Sequence, residues 1–351
     1  MNEKQTILSA STSPSDEIDI VDDSEVELRE FHIPSELHGE RIDKALAVLL
    51  PEFSRSYAKQ LLEEGAVAIL RPEPQVMQKA SAKVRSMERF LVTLRPTPQS
   101  QAFKPEVMDI TQVFEDEHLR VIYKPAGLVV HPAPGNWSGT LLNGLLALDD
   151  KAVMLPRAGI VHRLDKDTSG LMVVAKTRTC MDALVGLIGN REVHREYLAV
   201  AYRAWNGPRT REVEAGIGRD TRNRLRMAVV DLERVPGKTA HTSFASLDSN
   251  EAACLVHCTL HTGRTHQIRV HMAHIGHPLL GDSLYAGPMQ MGIERQALHA
   301  FRLSFEHPVT HQALKFEAEL PADMQALLVQ LGLKLVIPEP LVAQVTISAR
   351  L

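Results

Sequence analysis

The run Leu171-Met-Val-Val-Ala175 is apolar at every position. A strand built from it has no face to give to water, so the chain must enclose it on both sides within a sheet that carries covering layers. The stretch before it, Gly159-Ile-Val-His-Arg-Leu-Asp-Lys-Asp-Thr-Ser-Gly170, is the opposite in character. Its polar turn, His162 to Ser169, sets Asp165 between Arg163 and Lys166, which are expected to be its charge partners. A carboxylate on a loop held by a central strand is where catalytic groups concentrate, and an ionised, oriented carboxylate can serve as nucleophile or general base. An ordinary salt-bridged turn is the plain alternative.

The other apolar runs share out the chain. Ile42, Ala45-Leu46 and Leu49-Leu50 follow a helical stripe ended by Pro51, and a second helix is expected from N-cap Ser54 through Tyr57, Leu61 and Leu62 to a stop at Gly65. Extended Ala66–Leu70 and Arg89–Leu94 complete a small module over residues 31–95. Pro96, Pro98 and Pro105 mark a linker over 96–108. A larger domain over 109–335 then alternates strands (Leu119–Tyr123, Leu171–Ala175, Tyr197–Tyr202, Ala253–His261, Ala297–Phe305) with helices at Thr140–Leu148, Thr179–Gly189 and Thr265–Gly276. Apolar and polar residues alternate along those strands, which predicts an α+β fold with a mixed, mostly antiparallel central sheet flanked by helices. Residues 336–351 are read as a tail.

Composition enters through charge. The net charge of −4 hides a split: residues 1–30 hold nine acidic and two basic residues, too polar and too charged to order, and are expected to form a disordered acidic tail. The remainder is mildly basic, and residues 157–226 alone carry fourteen Lys/Arg against eight Asp/Glu, a local field suited to a polyanion. No run of apolar residues reaches membrane-spanning length and no secretory leader is evident, so a cytoplasmic protein without membrane contact is expected. Three cysteines form no disulfide framework, and Cys254 and Cys258, on one face of a strand, read as buried thiols. There is no internal repeat and no glycine-rich phosphate loop.

Three further segments could carry chemistry. In Thr262–Gly276, Thr265 is the expected N-cap and Gly276 the stop, with Ile268, Met272 and Ile275 as the buried stripe. Arg264, Gln267 and Arg269 then stand at the start of the helix, suited to a phosphate or a carboxylate. His261, His266, His271, His274 and His277 raise a metal reading, but no carboxylate or thiolate converges on them in the segment, so no metal is assigned. Arg195-Glu-Tyr197 opens a strand with an aromatic face that could take a nucleobase or simply pack, and Lys124-Pro-Ala-Gly127 is a tight turn after a strand.

Taken together, Lys124-Pro-x-Gly127, His162-Arg-Leu-Asp-Lys-Asp-Thr-Ser-Gly170, Arg195-Glu-Tyr197 and Gly263-Arg-Thr-His-Gln-Ile-Arg-Val-His271 with the following Gly281-Asp282 resemble, in this order, the motifs of the RluA-type pseudouridine synthases. The likeness covers residues 109–325, and the module before it resembles an S4 RNA-binding domain, although Arg71-Pro-Glu-Pro74 and Ser86-Met-Glu88 depart from the usual S4 turns. The resemblance implies a pseudouridine synthase domain that uses no cofactor. It makes Asp165 the group acting on the ribose of a flipped-out uridine and Arg163 the side chain that enters the stack. Tyr197 would stack on the uracil and assist proton removal from C5, and Arg269 would orient Asp165. Ile268 and Leu164 would line the pocket, while His162, Lys166, Arg264 and Arg55 would contact RNA. The implied partner is RNA, most similarly large-subunit ribosomal RNA, bare or within a pre-ribosomal particle, modified by a monomer.

Three other functions are open to the same residues. One is a synthase acting on tRNA. Another is a non-catalytic RNA-binding module serving ribosome assembly. The third is a phosphoesterase built on His241-Thr-Ser243 and His257-Cys-Thr259.

Overall fold

The structure, a computed structural model, describes residues 27–51, 55–94, 102–133, 136–223, 226–289, 292–337 and 346–349. The chain divides into two compact units near residue 100.

In the first unit, β1 (Glu27–His32), α1 (Ile42–Leu49), α2 (Arg55–Glu63), β2 (Val67–Ile69), β3 (Gln75–Val76) and β4 (Arg89–Leu94) form a four-stranded antiparallel sheet ordered β1-β4-β2-β3, with its helix pair. Both expected helices are present. Their stripes, Ile42, Ala45 and Leu46 facing Ala58, Leu61 and Leu62, meet Val67, Phe90 and Val92 in one core. Ser54, the expected cap of the second helix, lies outside the described residues. The strand β1 begins inside the stretch read as a disordered tail: its polar composition hides a strand whose partner is β4, in the register Phe31 opposite Phe90. Met87 takes a left-handed φ of 70° in the Ser86-Met-Glu88 turn.

The second unit contains β5 (Thr111–Glu115), β6 (Leu119–Lys124), α3 (Leu141–Leu148), β7 (Ser169–Ala175), α4 (Arg178–Gly189), β8 (His194–Tyr202), β9 (Thr210–Arg219), β10 (Met227–Val229), β11 (Gly237–Ser249), β12 (Ala253–Leu260), α5 (Gln267–His274), β13 (Leu298–Glu306), β14 (Ala313–Ala318), α6 (Ala322–Leu331) and β15 (Thr346–Ala349). Nine strands run in the order β10-β9-β11-β12-β8-β13-β7-β6-β5, and β14 and β15 branch from β13. Every pairing is antiparallel except β13 with β7 and β14 with β15, as expected of a mixed, mostly antiparallel α+β sheet. The parallel β15 falls within the stretch read as a C-terminal tail. At the other end, the Asn143 side chain donates to the carbonyls of Ala102 and Lys104, so part of the expected linker packs on α3.

The strand β7 is buried at every residue, and its side chains split by alternation. Met172 and Val174 join α3 and α5 on one face, whereas Leu171, Val173 and Ala175 join α4 on the other. Along β8 the same alternation sends Tyr197 and Ala199 to the α3/α5 face and Leu198 and Val200 to α6. Tyr197 and the loop entering β7 are thereby brought to one side of the sheet. Among the described residues, no helix is long and apolar enough to cross a membrane.

Candidate active site

The loop before β7 is fixed at several points. The strand β13 pairs with β7 only at Ser169 and Gly170. Further along, Ile160 bridges Val174, and His162 Nε2 accepts from the Val173 amide at 3.1 Å. His162 was expected to contact RNA. Burial and the Arg195 charge hold its pKa down to about 3, and the neutral ring pins the loop to the strand. Lys124 is wholly buried, and its Nζ donates to the carbonyls of Pro125, Leu128 and Lys166 at 2.7, 2.9 and 2.8 Å, while the Gly127 amide also donates to Lys166 O. The Lys124–Gly127 turn is therefore the clamp that holds the Asp165 loop. The Thr168 amide donates to Asp165 O and closes the turn itself.

Asp165 emerges from this loop into a cleft of about 490 Å³, a size fit for a small-molecule group. Six arginines line the cleft (Arg157, Arg163, Arg191, Arg195, Arg264 and Arg269), and Asp165 is its sole lining carboxylate among the described residues. Its charge partner is not a sequence neighbour: Arg163 and Lys166 are exposed, and Arg269 of α5 reaches Asp165 Oδ2 with Nη1 at 3.1 Å. Arg269 is itself held by Asp282, which accepts from Nε at 2.7 Å and Nη2 at 2.8 Å, and its guanidinium lies 5.0 Å from the centre of the Tyr285 ring. Burial opposes the Arg269 charge, but Asp282 and Asp165 more than offset it, so its pKa stands above the ordinary value.

Tyr197 lines the same cleft and is 4% exposed. Burial pushes its phenol up to about 12, with Arg195 opposing and the Asp165 charge adding to the rise. At neutral pH it is a protonated phenol and not a resting base. Leu164 and Ile268, both buried, supply apolar wall to the cleft. Arg195 is also buried; a side chain on Gly263 would come within 2.8 Å of its Nη1, so this glycine makes room for the guanidinium.

The helix α5 starts later than expected. The N-cap residue is His266, in a left-handed conformation with φ 56° and ψ 22°, and Thr265 does not cap. Gln267, expected to face a ligand, is buried and satisfied by Thr262, Thr242, the Arg264 amide and the His241 carbonyl. Arg264 Nε donates to Thr239 O at the cleft wall. His266 was grouped with a metal reading, but its Nε2 stands 4.0 Å from Asp165 Oδ2 while Nδ1 meets Tyr285 Oη at 2.9 Å. Sequence reasoning missed Tyr285 and this placement of His266; the only signal for the region was Gly281-Asp282. Arg55 lies in the other unit, half-exposed, and pairs with buried Asp43 at 2.8 Å.

The histidines of the α5 segment do not gather: His271 bonds Thr242, His274 is exposed and His277 stacks on Trp205. His261 instead joins His241 and Glu212, whose ligand-type atoms lie within 4.8 Å of one another; His241 bonds Glu212 directly, and Ser243 bridges Glu212 to His261. These are residues that could hold a metal. The phosphoesterase pairing fails on register, because His257 lies opposite Ala245, four positions or about 13 Å along β11 from His241, and is held by Glu196. Cys254 and Cys258 are buried as expected, and burial pushes the Cys254 thiol up to about 12.

What the arrangement can do is hold an anionic polymer and present one oriented carboxylate, beside an aromatic face, to a group inserted from it. Comparison with known proteins points the same way. The family model for RNA pseudouridylate synthase matches residues 118–274, which contain the Asp165 loop, Tyr197 and Arg269. Ribosomal large subunit pseudouridine synthase D of Neisseria meningitidis serogroup A is 47% identical over 335 residues, covering 91% of this chain and 86% of the relative. The protein of that name from Nitrosomonas europaea is 44% identical over 309 residues, covering 85% and 86%. Among solved structures, human RNA pseudouridylate synthase domain containing 4 superposes with a TM-score of 0.51 at 24% identity, covering 64% of this chain and 94% of that one, and shares the fold. With this extent of identity across both units, and Asp165, Tyr197 and Arg269 inside the matched region, the chain belongs to the RNA pseudouridine synthase family.

Proposed function

We propose that this pseudouridine synthase isomerises specific uridines of large-subunit ribosomal RNA, with Asp165 as the group that acts on the ribose. One observation carries the assignment: among the described residues Asp165 is the sole carboxylate lining a cleft of six arginines, and it is held by Arg269. The reaction breaks the N1–C1′ bond, turns the uracil and joins C5 to C1′; N1 gains a proton and C5 loses one, so no oxidant is needed. A carboxylate serves either as nucleophile at C1′ or as base at C2′, and a walled pocket keeps the detached base from escaping.

The target base must leave its stack before it reaches the cleft. Arg163, exposed beside Asp165, is suited to fill the vacated place, with Lys166 and Arg264 on the flanking phosphates and Arg55 on RNA bound by the S4-like first unit. Tyr197 supplies the aromatic face for the uracil. The Asp165 charge is among the causes that raise its phenol, and that cause vanishes once the carboxylate is esterified or protonated, which is when help with the C5 proton would be wanted. The reading extends to a monomer in the cytoplasm, acting on rRNA bare or within a pre-ribosomal particle. The relatives named above are called large-subunit enzymes, which supports this substrate over tRNA.

The test is a pseudouridine map, by carbodiimide-dependent primer-extension stops, of ribosomal RNA from cells lacking the protein and complemented with wild type or Asp165→Asn. Specific large-subunit stops restored by wild type alone are expected. An unchanged rRNA map with lost tRNA stops would move the substrate to tRNA, and full restoration by Asp165→Asn would remove Asp165 from the chemistry.

A further inference from the structure

His266 holds a backbone conformation that costs a non-glycine residue free energy and that gathers at functional sites, and it does so at the one place where its ring faces Asp165. Its hydrogen bonds determine where its proton sits. The Met227 amide donates to Tyr285 Oη at 2.9 Å, so the phenol's own proton is free to be given to His266 Nδ1, also 2.9 Å away. A neutral ring that accepts at Nδ1 carries its hydrogen on Nε2. Burial lowers the His266 pKa, the Asp165 charge opposing, which keeps the ring neutral near pH 7.

The Nε2 atom is 4.0 Å from Asp165 Oδ2, too far for a direct hydrogen bond. One oxygen, however, fits about 2.8 Å from each, subtending an angle of about 90°. That oxygen must accept from Nε2–H and donate to the carboxylate. A uracil carbonyl and a phosphate oxygen only accept, and uracil N3–H only donates, whereas a hydroxyl does both. Asp165 Oδ1 accepts no hydrogen bond among the described residues and is left for the reacting carbon. The hydroxyl nearest that carbon in the substrate is the ribose 2′-OH.

We propose that His266 is a specificity-determining residue, which together with Asp165 Oδ2 grips the 2′-hydroxyl of the target ribose, and that Tyr285 is a positioning residue that fixes the His266 ring. The inference rests on the assignment of Asp165 made above. It makes the site read RNA against DNA at the reacting sugar itself, the atom that distinguishes the two.

The experiment uses the full-length protein and a ligated large-subunit rRNA transcript carrying either uridine or 2′-deoxyuridine at one position that the wild type modifies. Single-turnover rates and affinities are measured for wild type, His266→Asn, Tyr285→Phe and Asp165→Asn. Asparagine tolerates the left-handed backbone, so the fold is kept while the Nε2 donor is lost. The intrinsic difference in bond lability between the two sugars is common to all proteins, so it cancels when a variant's ribose-to-deoxyribose ratio is compared with that of the wild type. His266→Asn is expected to be about tenfold slower on the ribose substrate and to shrink the ribose-to-deoxyribose ratio by about tenfold, the size of one hydrogen bond. Tyr285→Phe is expected to shift the ratio the same way by a few-fold. Where the deoxy substrate is too slow to turn over, the affinity ratio reports the same contact. A ratio equal in wild type, His266→Asn and Tyr285→Phe would overturn the proposal. Activity retained by Asp165→Asn would instead overturn the assignment on which it rests.

Discussion

Arg269 gives two of its donors to Asp282, at 2.7 and 2.8 Å, and a third to Asp165 at 3.1 Å. One guanidinium thus serves two carboxylates from different loops, and the Asp282 side chain, 1% exposed, is the deeper of them. Removing one partner of a buried pair leaves the other charged and unsolvated, at a cost of about 3–5 kcal/mol. Asp282→Asn keeps the shape and removes the charge. It is expected to lower the unfolding free energy in urea by about 2–3 kcal/mol and to slow single-turnover modification by tenfold or more, because Arg269 is then free to move off the Asp165 line. Arg269→Lys is expected to be no better, since an ammonium cannot reproduce the two-pronged contact. Wild-type turnover in Asp282→Asn would show that Asp165 is oriented without this pair.

The sequence made some of this arrangement readable and hid the rest for identifiable reasons. Strands such as Leu171–Ala175 and Ala253–His261 were legible because burial on one or both faces is written directly in their residue types. Asp165 and Arg269 were singled out by their motifs. Arg163 and Lys166 do not pair with Asp165 because both side chains stand exposed to solvent, while Arg269, 104 positions on, is brought in by the packing of α5. His266 was read as helix because a left-handed residue leaves no mark in helical periodicity, and Tyr285 followed no pattern at all. The strand β1 was lost in the acidic tail because its pairing with β4 is a long-range contact that composition does not report.

Lys124 offers a second test. Its three carbonyl acceptors match the three protons of an ammonium, yet burial pushes its pKa down to about 7 from 10.5. Lys124→Met is expected to leave those carbonyls unsatisfied, to cost about 2–4 kcal/mol and to loosen the Asp165 loop through Lys166 O. The pH dependence has a definite sign. The unfolded chain binds the proton more tightly between pH 7 and 10.5, so the lysine's contribution to stability grows as pH rises through that window. The stability gap between wild type and the methionine variant, from urea melts, should widen from pH 7 to pH 9; a constant gap would mean the amine is not depressed.

Asp43 carries the opposite sign in the first unit. It accepts from Arg41 and Arg55 at 3.0 and 2.8 Å, and the Arg41 hydrogen bond, with Arg55 adding and burial opposing, lowers its carboxyl to about 2 from 3.8. A depressed carboxyl contributes stability that is complete above pH 3.8 and is lost as pH falls toward 2. Both arginines are half-exposed, so solvent screening reduces the contribution to about 1–2 kcal/mol. Asp43→Asn should cost that amount at pH 7 and progressively less as pH falls toward 2, followed by amide-exchange protection in α1 and α2. An effect on RNA affinity is also expected, since Arg55 loses the carboxylate that aims it.

Gly170 closes the loop of Asp165 at the point where β7 meets β13. Its φ is +121°, and a Cβ there would lie 2.2 Å from the Ala300 carbonyl oxygen, a backbone atom that cannot step aside. Two separate penalties follow for Gly170→Ala: a backbone conformation that an L side chain rarely adopts, and a clash relieved only by parting the parallel pair His299–Ser169 and Ala300–Gly170. A loss of at least about 3 kcal/mol is expected in urea, with thermal unfolding shifted down by several degrees. The displacement would also carry the Asp165 loop away from Arg269, because Thr168 and Ser169 are its last fixed points. Single-turnover modification measured well below the variant's melting temperature should therefore fall further than the folded fraction does. A variant whose activity tracks the folded fraction alone would place the site's rigidity in the Lys124 clamp and not in the β7–β13 junction.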